Sequence, residues 1–210
     1  MYFDKKQITN LDKYKRINLM NSITGIKPAI LVGTKSKENI TNLAIFSSIV
    51  HISSNPPLLG FFLRNNRKIR RDTFENIMEN NSYTLNHVNP SIIKRAHHTS
   101  AKFDKKISEF DTCNFTEEYI DDIVVPFVKE SNVKINMRLR EVVEMDCTDS
   151  KLIIGEINHI LITSNFLEND FSLNLEKSNS VGVCGLNHYY TNKKNRSLTY
   201  VRISKNIKDK

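Results

Sequence analysis

Long hydrophobic runs are missing from this chain of 210 residues. The longest apolar stretches, such as Pro57 to Leu63, are strand-sized, whereas a membrane-spanning helix needs about 20 consecutive apolar residues. The opening MYFDKKQITN is polar and has no apolar signal core, so the chain is expected to be made and kept in the cytoplasm, with no membrane partner. Cysteine is scarce too. Cys113, Cys147 and Cys184 lie far apart, without CxxC or Cys/His spacing, which argues against a disulfide framework and a structural zinc site. No internal repeat and no Gly/Ser-rich or Pro-rich linker interrupts the chain. Gly182-Val-Cys-Gly185 is too short for a dinucleotide-binding loop and lacks its strand-to-helix setting. A nicotinamide nucleotide, if used, has no Rossmann domain of its own here.

What is present is ordinary in amount: 39% hydrophobic and 26% charged residues describe a globular protein with a buried core. The expected division is a charged N-terminal arm at 1–25 and a single domain at 26–205. A formal net charge of +8 favours an anionic partner, whether phosphate cofactor, nucleic acid or anionic surface.

Strand signals dominate from Pro28 onward. Pro28 to Thr34 is rich in β-formers and runs into the polar turn KSKENI. Asn42 to Ile52 reads as a strand, or a strand with a bend, stopped by Ser-Ser-Asn-Pro-Pro. The near-continuous apolar run Leu58 to Leu63 predicts a strand buried on both faces. Arg71 to Asn80 predicts a short helix opened by Asp72 with Glu75 three residues on, its apolar face formed by Phe74, Ile77 and Met78. Ser82 to Val88 alternates as a strand, and Asn89-Pro90-Ser91 starts a second short helix, Ile92 to His98. Ala101 to Glu118 is expected to be irregular. Val133 to Arg140 and Lys151 to Thr163 form a long hairpin pair, and Leu198 to Ile203 is a last strand. Six or seven strands with only short helices predict a closed antiparallel barrel, not a βαβ sheet.

The string Lys27-Pro28, Gly33-Thr34, Asn42-Leu-Ala-Ile-Phe-Ser-Ser48, Ser54-Asn-Pro-Pro57, Arg71-Asp-Thr73, Asn76-Ile77 resembles, in order and spacing, the flavin reductase-like FMN-binding family, in its DIM6/NTAB-type branch. The resemblance runs from about Asn21 to Tyr190 and closes on Gly185-Leu-Asn-His-Tyr-Tyr190. It implies a mainly β, Greek-key split barrel and an FMN cofactor with NAD(P)H as co-substrate. It also implies a homodimer whose second subunit closes the cofactor site. Carried over as cofactor-binding residues are Asn42, Phe46, Ser47, Ser48, Arg71 and Thr73, with Thr34 and Ser100; no catalytic side chain and no metal ligand is implied. Ile45 replaces the family's second proline in that strand, a difference expected to alter the strand bend.

Elementary chemistry asks the same of an FMN site: anchors for a dianionic phosphate, an apolar slot for a flat ring, and backbone donors for its pyrimidine edge. Ser47, Ser48 and Thr73 bring hydroxyls, and Arg64, Arg67, Arg70 and Arg71 bring guanidinium forks. Read alone, the serines are polar strand positions, Asp72-Thr73 a helix cap, and the arginines a solvated face. No aromatic residues interleave with the arginines as a single-stranded nucleic-acid platform requires. His97-His98 reads as a surface pair, and Tyr189-Tyr190 as a packing pair. Three functions stay open at this point: an NAD(P)H-dependent flavin oxidoreductase, a flavin carrier or sensor, and a basic nucleic-acid-binding barrel.

Overall fold

The computed structural model describes residues 1–64, 71–194 and 196–198. In chain order the elements are α1 (Lys5–Asn10), α2 (Lys13–Ser22), β1 (Lys27–Pro28), β2 (Ile30–Lys35), β3 (Thr41–Phe46), β4 (Ile49–Ser54) and β5 (Pro57–Arg64). Next come α3 (Asp72–Asn80), β6 (Ser82–His87), α4 (Ile93–His98), α5 (Glu109–Thr112), β7 (Glu117–Glu118) and β8 (Phe127–Val128). The long hairpin β9 (Val133–Met145) and β10 (Ser150–Ile162) follows, then β11 (Val181–Cys184) and β12 (His188–Thr191). The expected strand from Leu198 to Ile203 lies, apart from Leu198, outside the described residues.

Seven strands form one antiparallel sheet in the order β3-β2-β6-β9-β10-β5-β4. Its two end strands, β3 and β4, are separated in the chain only by Ser47 and Ser48. A sheet whose ends are two residues apart must curl until they meet. The seam is held by Ser48, whose Oγ donates to the Phe62 carbonyl (2.9 Å) and accepts from the Phe62 N–H (3.2 Å). Across it Phe46 stands edge-on to Phe61, with ring centroids 4.9 Å apart. The Asn42 to Ile52 run is therefore two strands with a bend at the serines.

Alternation sorts the side chains into two cores. Ile30, Val32, Phe61, Leu63, Ile77, Tyr83, Leu85, Met137 and Ile153 fill the barrel. Ala29, Leu31 and Leu43 face outward beneath Ile92, Ala96 and Phe110 of the helical layer. The strands buried on both faces are thus β2 and β6, not β5. On β5 Phe61 and Leu63 point inward while Phe62 is 38% exposed, because the helical layer covers the opposite end of the sheet.

Other differences have local causes. The arm at 1–25 contains two helices that bury no side chain; their only sequence marks are the caps Asp4, with Gln7 completing a capping box, and Asp12. Asp72 is the first helical residue of α3 and Arg71 the cap position; an acid in the first turn favours the helix dipole without capping it. Met78 lies 48% exposed, off the face shared by Phe74 and Ile77. The excursion 101–118 holds one helical turn, α5, capped by Ser108. Beyond the main sheet, β1, β11 and β12 make a small second sheet.

Bulges between Ile154 and Gly155 and between Ile157 and His159 bend the β9–β10 hairpin around the barrel. At Gly155 a side chain has no room: a Cβ there would lie 2.3 Å from the Tyr83 hydroxyl. Gly155→Ala is expected to lower stability by about 1–3 kcal/mol through this overpacking, measured by urea unfolding. Tyr83→Phe in the same background should recover part of the loss. The Tyr83 hydroxyl is buried and has no hydrogen-bond partner among the described residues.

His87 Nδ1 lies 2.9 Å from Ser180 Oγ, and burial pulls its pKa down from 6.5 to about 4. The folded value is below the unfolded one, so between the two the unfolded chain binds more protons and stability falls as pH drops from about 6.5 towards 4. Unfolding free energy should fall by about 1–3 kcal/mol over that window. His87→Asn should flatten the profile, and an unchanged slope would exclude His87 as its source.

Candidate functional site

A candidate cleft follows from how β3 is paired. Among the described strands only β2 bonds to it, in the register Ile30↔Phe46 to Lys35↔Thr41, and its other edge pairs with none of them. The first part of that edge is covered by α5 and its flanks. Thr41 Oγ1 donates to Glu117 Oε1 (2.6 Å), so the 2.7 Å contact with Ser108 is a bond donated by Ser108 Oγ to Thr41. The Leu43 N–H donates to Glu109 Oε2 at 2.9 Å. Glu109 is itself buried, at 7% exposure. Past Leu43 the covering stops and a cleft of about 790 Å³ opens. Ala44, Ile45, Phe46, Ser47 and Ser48 line it in succession. Successive strand residues point to opposite faces, so a cleft lined by all of them runs along the strand edge.

One end of the cleft is polar. Asn42 Nδ2 donates to Thr73 Oγ1 (3.1 Å) and Thr34 Oγ1 (3.3 Å), and Asn76 Nδ2 donates to Thr34 Oγ1 (3.1 Å). This buried network fixes the first turn of α3 against β3. Arg71 provides no side-chain cap for α3, while its carbonyl accepts from the N–H groups of Phe74 (2.9 Å) and Glu75 (3.1 Å). The guanidinium groups of Arg71 and Arg64 are exposed at the cleft. A helix N-terminus beside cations and a hydroxyl suits an anion such as a phosphate. The walls are apolar where Ile45, Phe46 and Phe62 reach the cleft, and Ser100, Lys102 and Phe103 form part of the opposite side.

Of the residues expected from the sequence, Asn42, Phe46, Ser47, Ser48, Arg64, Arg71, Thr73 and Ser100 all line this one cleft. Thr34 does not: it is fully buried behind Asn42 and acts only through that side chain. Two hydroxyls are committed elsewhere. Ser48 closes the seam, as above, and Ser100 Oγ donates to the His97 carbonyl at 2.7 Å. Arg67 and Arg70 lie outside the described residues. His97 Nδ1 and the Tyr189 hydroxyl share a hydrogen bond of 3.0 Å, and neither residue lines the cleft; from that closing element Leu186 reaches it instead. Glu109 and Phe62 also line it and were not among the expected site residues, and Lys27, which opens the family-like string, lines it too. For Glu109 the one signal was Ser108-Glu109, a cap and first-turn acid inside a stretch expected to be irregular.

A seven-stranded sheet curled into a barrel, with a cleft along one strand edge and an anion-suited end to it, is the architecture of a split barrel. Comparison with known proteins agrees. The sequence profile described as "Flavin reductase like domain" matches residues 25–189, and the chain belongs to that family. The crystal structure of a split-barrel protein of flavin reductase type from Shewanella frigidimarina NCIMB 400 is 40% identical. It covers 96% of this chain and 100% of its own, with a TM-score of 0.91. Nitrilotriacetate monooxygenase component B from Bacillus cereus shares the fold at 19% identity, covering 94% of this chain and 98% of its own, with a TM-score of 0.82. An uncharacterized protein of Aquifex aeolicus is 26% identical over 164 residues, 78% of this chain and 83% of that protein. Among the described residues no helix is long and apolar enough to cross a membrane.

Proposed function

We propose that this chain is an FMN-dependent oxidoreductase that takes hydride from NAD(P)H, acts in the cytoplasm and works as a homodimer. The observation that carries the reading is the single cleft in which cations, a helix N-terminus, apolar walls and a free strand edge converge. Arg71, Arg64 and Thr73 hold the phosphate; Ile45, Phe46 and Phe62 flank the ring; Asn42 keeps Thr73 in place. When bound, such a flavin supplies two-electron redox chemistry, accepting hydride from a reduced nicotinamide and passing electrons to oxygen, free flavin or a partner protein. The chain's own part is binding, orientation and exclusion of water, so no side-chain acid or base is required.

The homodimer rests on the outer face of β4, β5 and β10. Val50 (37%), Ile52 (39%) and Phe62 (38%) are exposed there, on a face whose register also places Leu152 opposite Phe62. Phe62 belongs to both this patch and the cleft, so a second copy seated on the patch would wall the cleft. Light scattering on the eluted protein should give twice the chain mass. Purified protein supplied with FMN should oxidise NADH or NADPH in steady state. Tight FMN retention with no turnover would instead indicate an electron carrier.

A further inference from the structure

The arm that precedes the barrel is held to it lightly. Helices α1 and α2 have 6 and 10 residues and bury no side chain, and isolated helices shorter than about 12–15 residues are marginal in water. Tyr14, Met20 and Ile23 are exposed. Among the described residues two hydrogen bonds tie this arm to the rest of the chain. Lys27 Nζ donates to the Asn21 carbonyl at 2.7 Å, and Cys184 Sγ makes a longer contact of 3.5 Å with the Ser22 carbonyl. The connection to β1 passes through Gly25, at φ +81° and with nothing but its chain neighbours within 4 Å of where a Cβ would stand, a left-handed position that favours glycine. Yet the arm reaches the cleft, which Asn21 and Lys27 both line. They stand at the end away from α3. The register sets Phe46 beside Ile30, three residues after Lys27, and Asn42 beside Thr34, and it is Asn42 that bonds to Thr73 of α3.

We propose that residues 1–24 form a strap, hinged at Gly25 and latched by Lys27, that opens and closes this end of the cleft and sets how fast flavin enters and leaves. The strap rests on the flavin reading above and adds a control on it. Its latch is a cation on a carbonyl of the last turn of α2, where the intrahelical ladder leaves the carbonyls unmet and the helix dipole favours positive charge. Breaking the latch exposes no buried side chain of α1 or α2, so opening costs far less than global unfolding. A closed strap keeps water from the ring end while hydride is transferred, and an open one lets the flavin exchange.

Stopped-flow quenching of FMN fluorescence tests the strap through rates, because a gate changes entry and exit together. Deleting residues 2–20 is expected to raise the association and dissociation rates of FMN about tenfold each, which keeps Kd within about threefold of wild type. Ser22→Cys places a thiol near Cys184. Oxidation to the disulfide, followed by the loss of two thiols, should slow both rates about tenfold, and dithiothreitol should restore them. Calorimetry gives the structural control: α1 and α2 bury nothing, so the deletion should melt within about 2 °C of wild type. FMN rates unchanged by the deletion or by the disulfide, or a deletion that melts further below wild type than that, overturn the strap and leave the flavin reading standing. A wild type that does not quench FMN at all removes both.

Discussion

Replacing Arg71 by glutamate is expected to raise the dissociation constant for FMN by roughly 10- to 100-fold while changing that for riboflavin little. The two ligands differ only in the phosphate, so the pair isolates the polar end of the cleft. Arg71 stands at the cap position of α3, exposed and beside Thr73. A charge-assisted bond from a guanidinium to a phosphate contributes about 1.5–3 kcal/mol, and reversing the charge adds repulsion. The helix itself should survive, because a carboxylate near its N-terminus complements the dipole. The check is a parallel titration of both ligands at fixed salt. Equal losses for FMN and riboflavin would place the phosphate elsewhere.

The second large effect is on folding. Glu109→Ala removes the acceptor of the fully buried Leu43 N–H and uncovers the edge of β3 that leads into the cleft. An unmet buried donor and a lost bond to a charged group together cost about 2–3 kcal/mol. That corresponds to a fall in Tm of about 5–10 °C for a chain of this size. Glu109→Gln keeps an acceptor oxygen on the same stem and should recover most of it. Calorimetry of the three proteins distinguishes the cases; an alanine variant that melts with wild type would mean that the edge of β3 does not depend on Glu109.

How much of this is legible in the sequence depends on distance along the chain. Strands β6 and β9 announce themselves by local alternation, β2, β5 and β10 by runs of apolar and β-forming residues, and the Ser47-Ser48 bend is half visible as a polar interruption. Closure of the barrel is not local. It needs β2 to pair with β6, β6 with β9 and β10 with β5, partners so far apart that no short window of sequence contains them. The same limit hides the double burial of β2, since the helices that cover it come from the segment 90–115. Helices α1 and α2 bury nothing, so they leave no apolar period to read, only the caps Asp4 and Asp12.

For the site, the ordered string from Asn42 to Ser48 and from Arg71 to Thr73 was enough to name residues that share one cleft. It was silent on which of them face it. Thr34 stands beside Asn42 in register yet points into a buried network. Phe62 alternates with Phe61 and Leu63, and only the curl of the sheet brings it to the cleft. Ile45 looked like a mere departure from the family's proline. In the structure it lines the cleft, its side chain packed on the outer core.

The most direct measurement is the visible spectrum of the purified protein loaded with FMN, recorded anaerobically before and after NADH and then NADPH. Bound FMN with its oxidised flavin bands, bleached by either nucleotide and restored by air, is the predicted result. A protein that stays colourless after incubation with FMN and leaves its fluorescence unquenched would contradict the account.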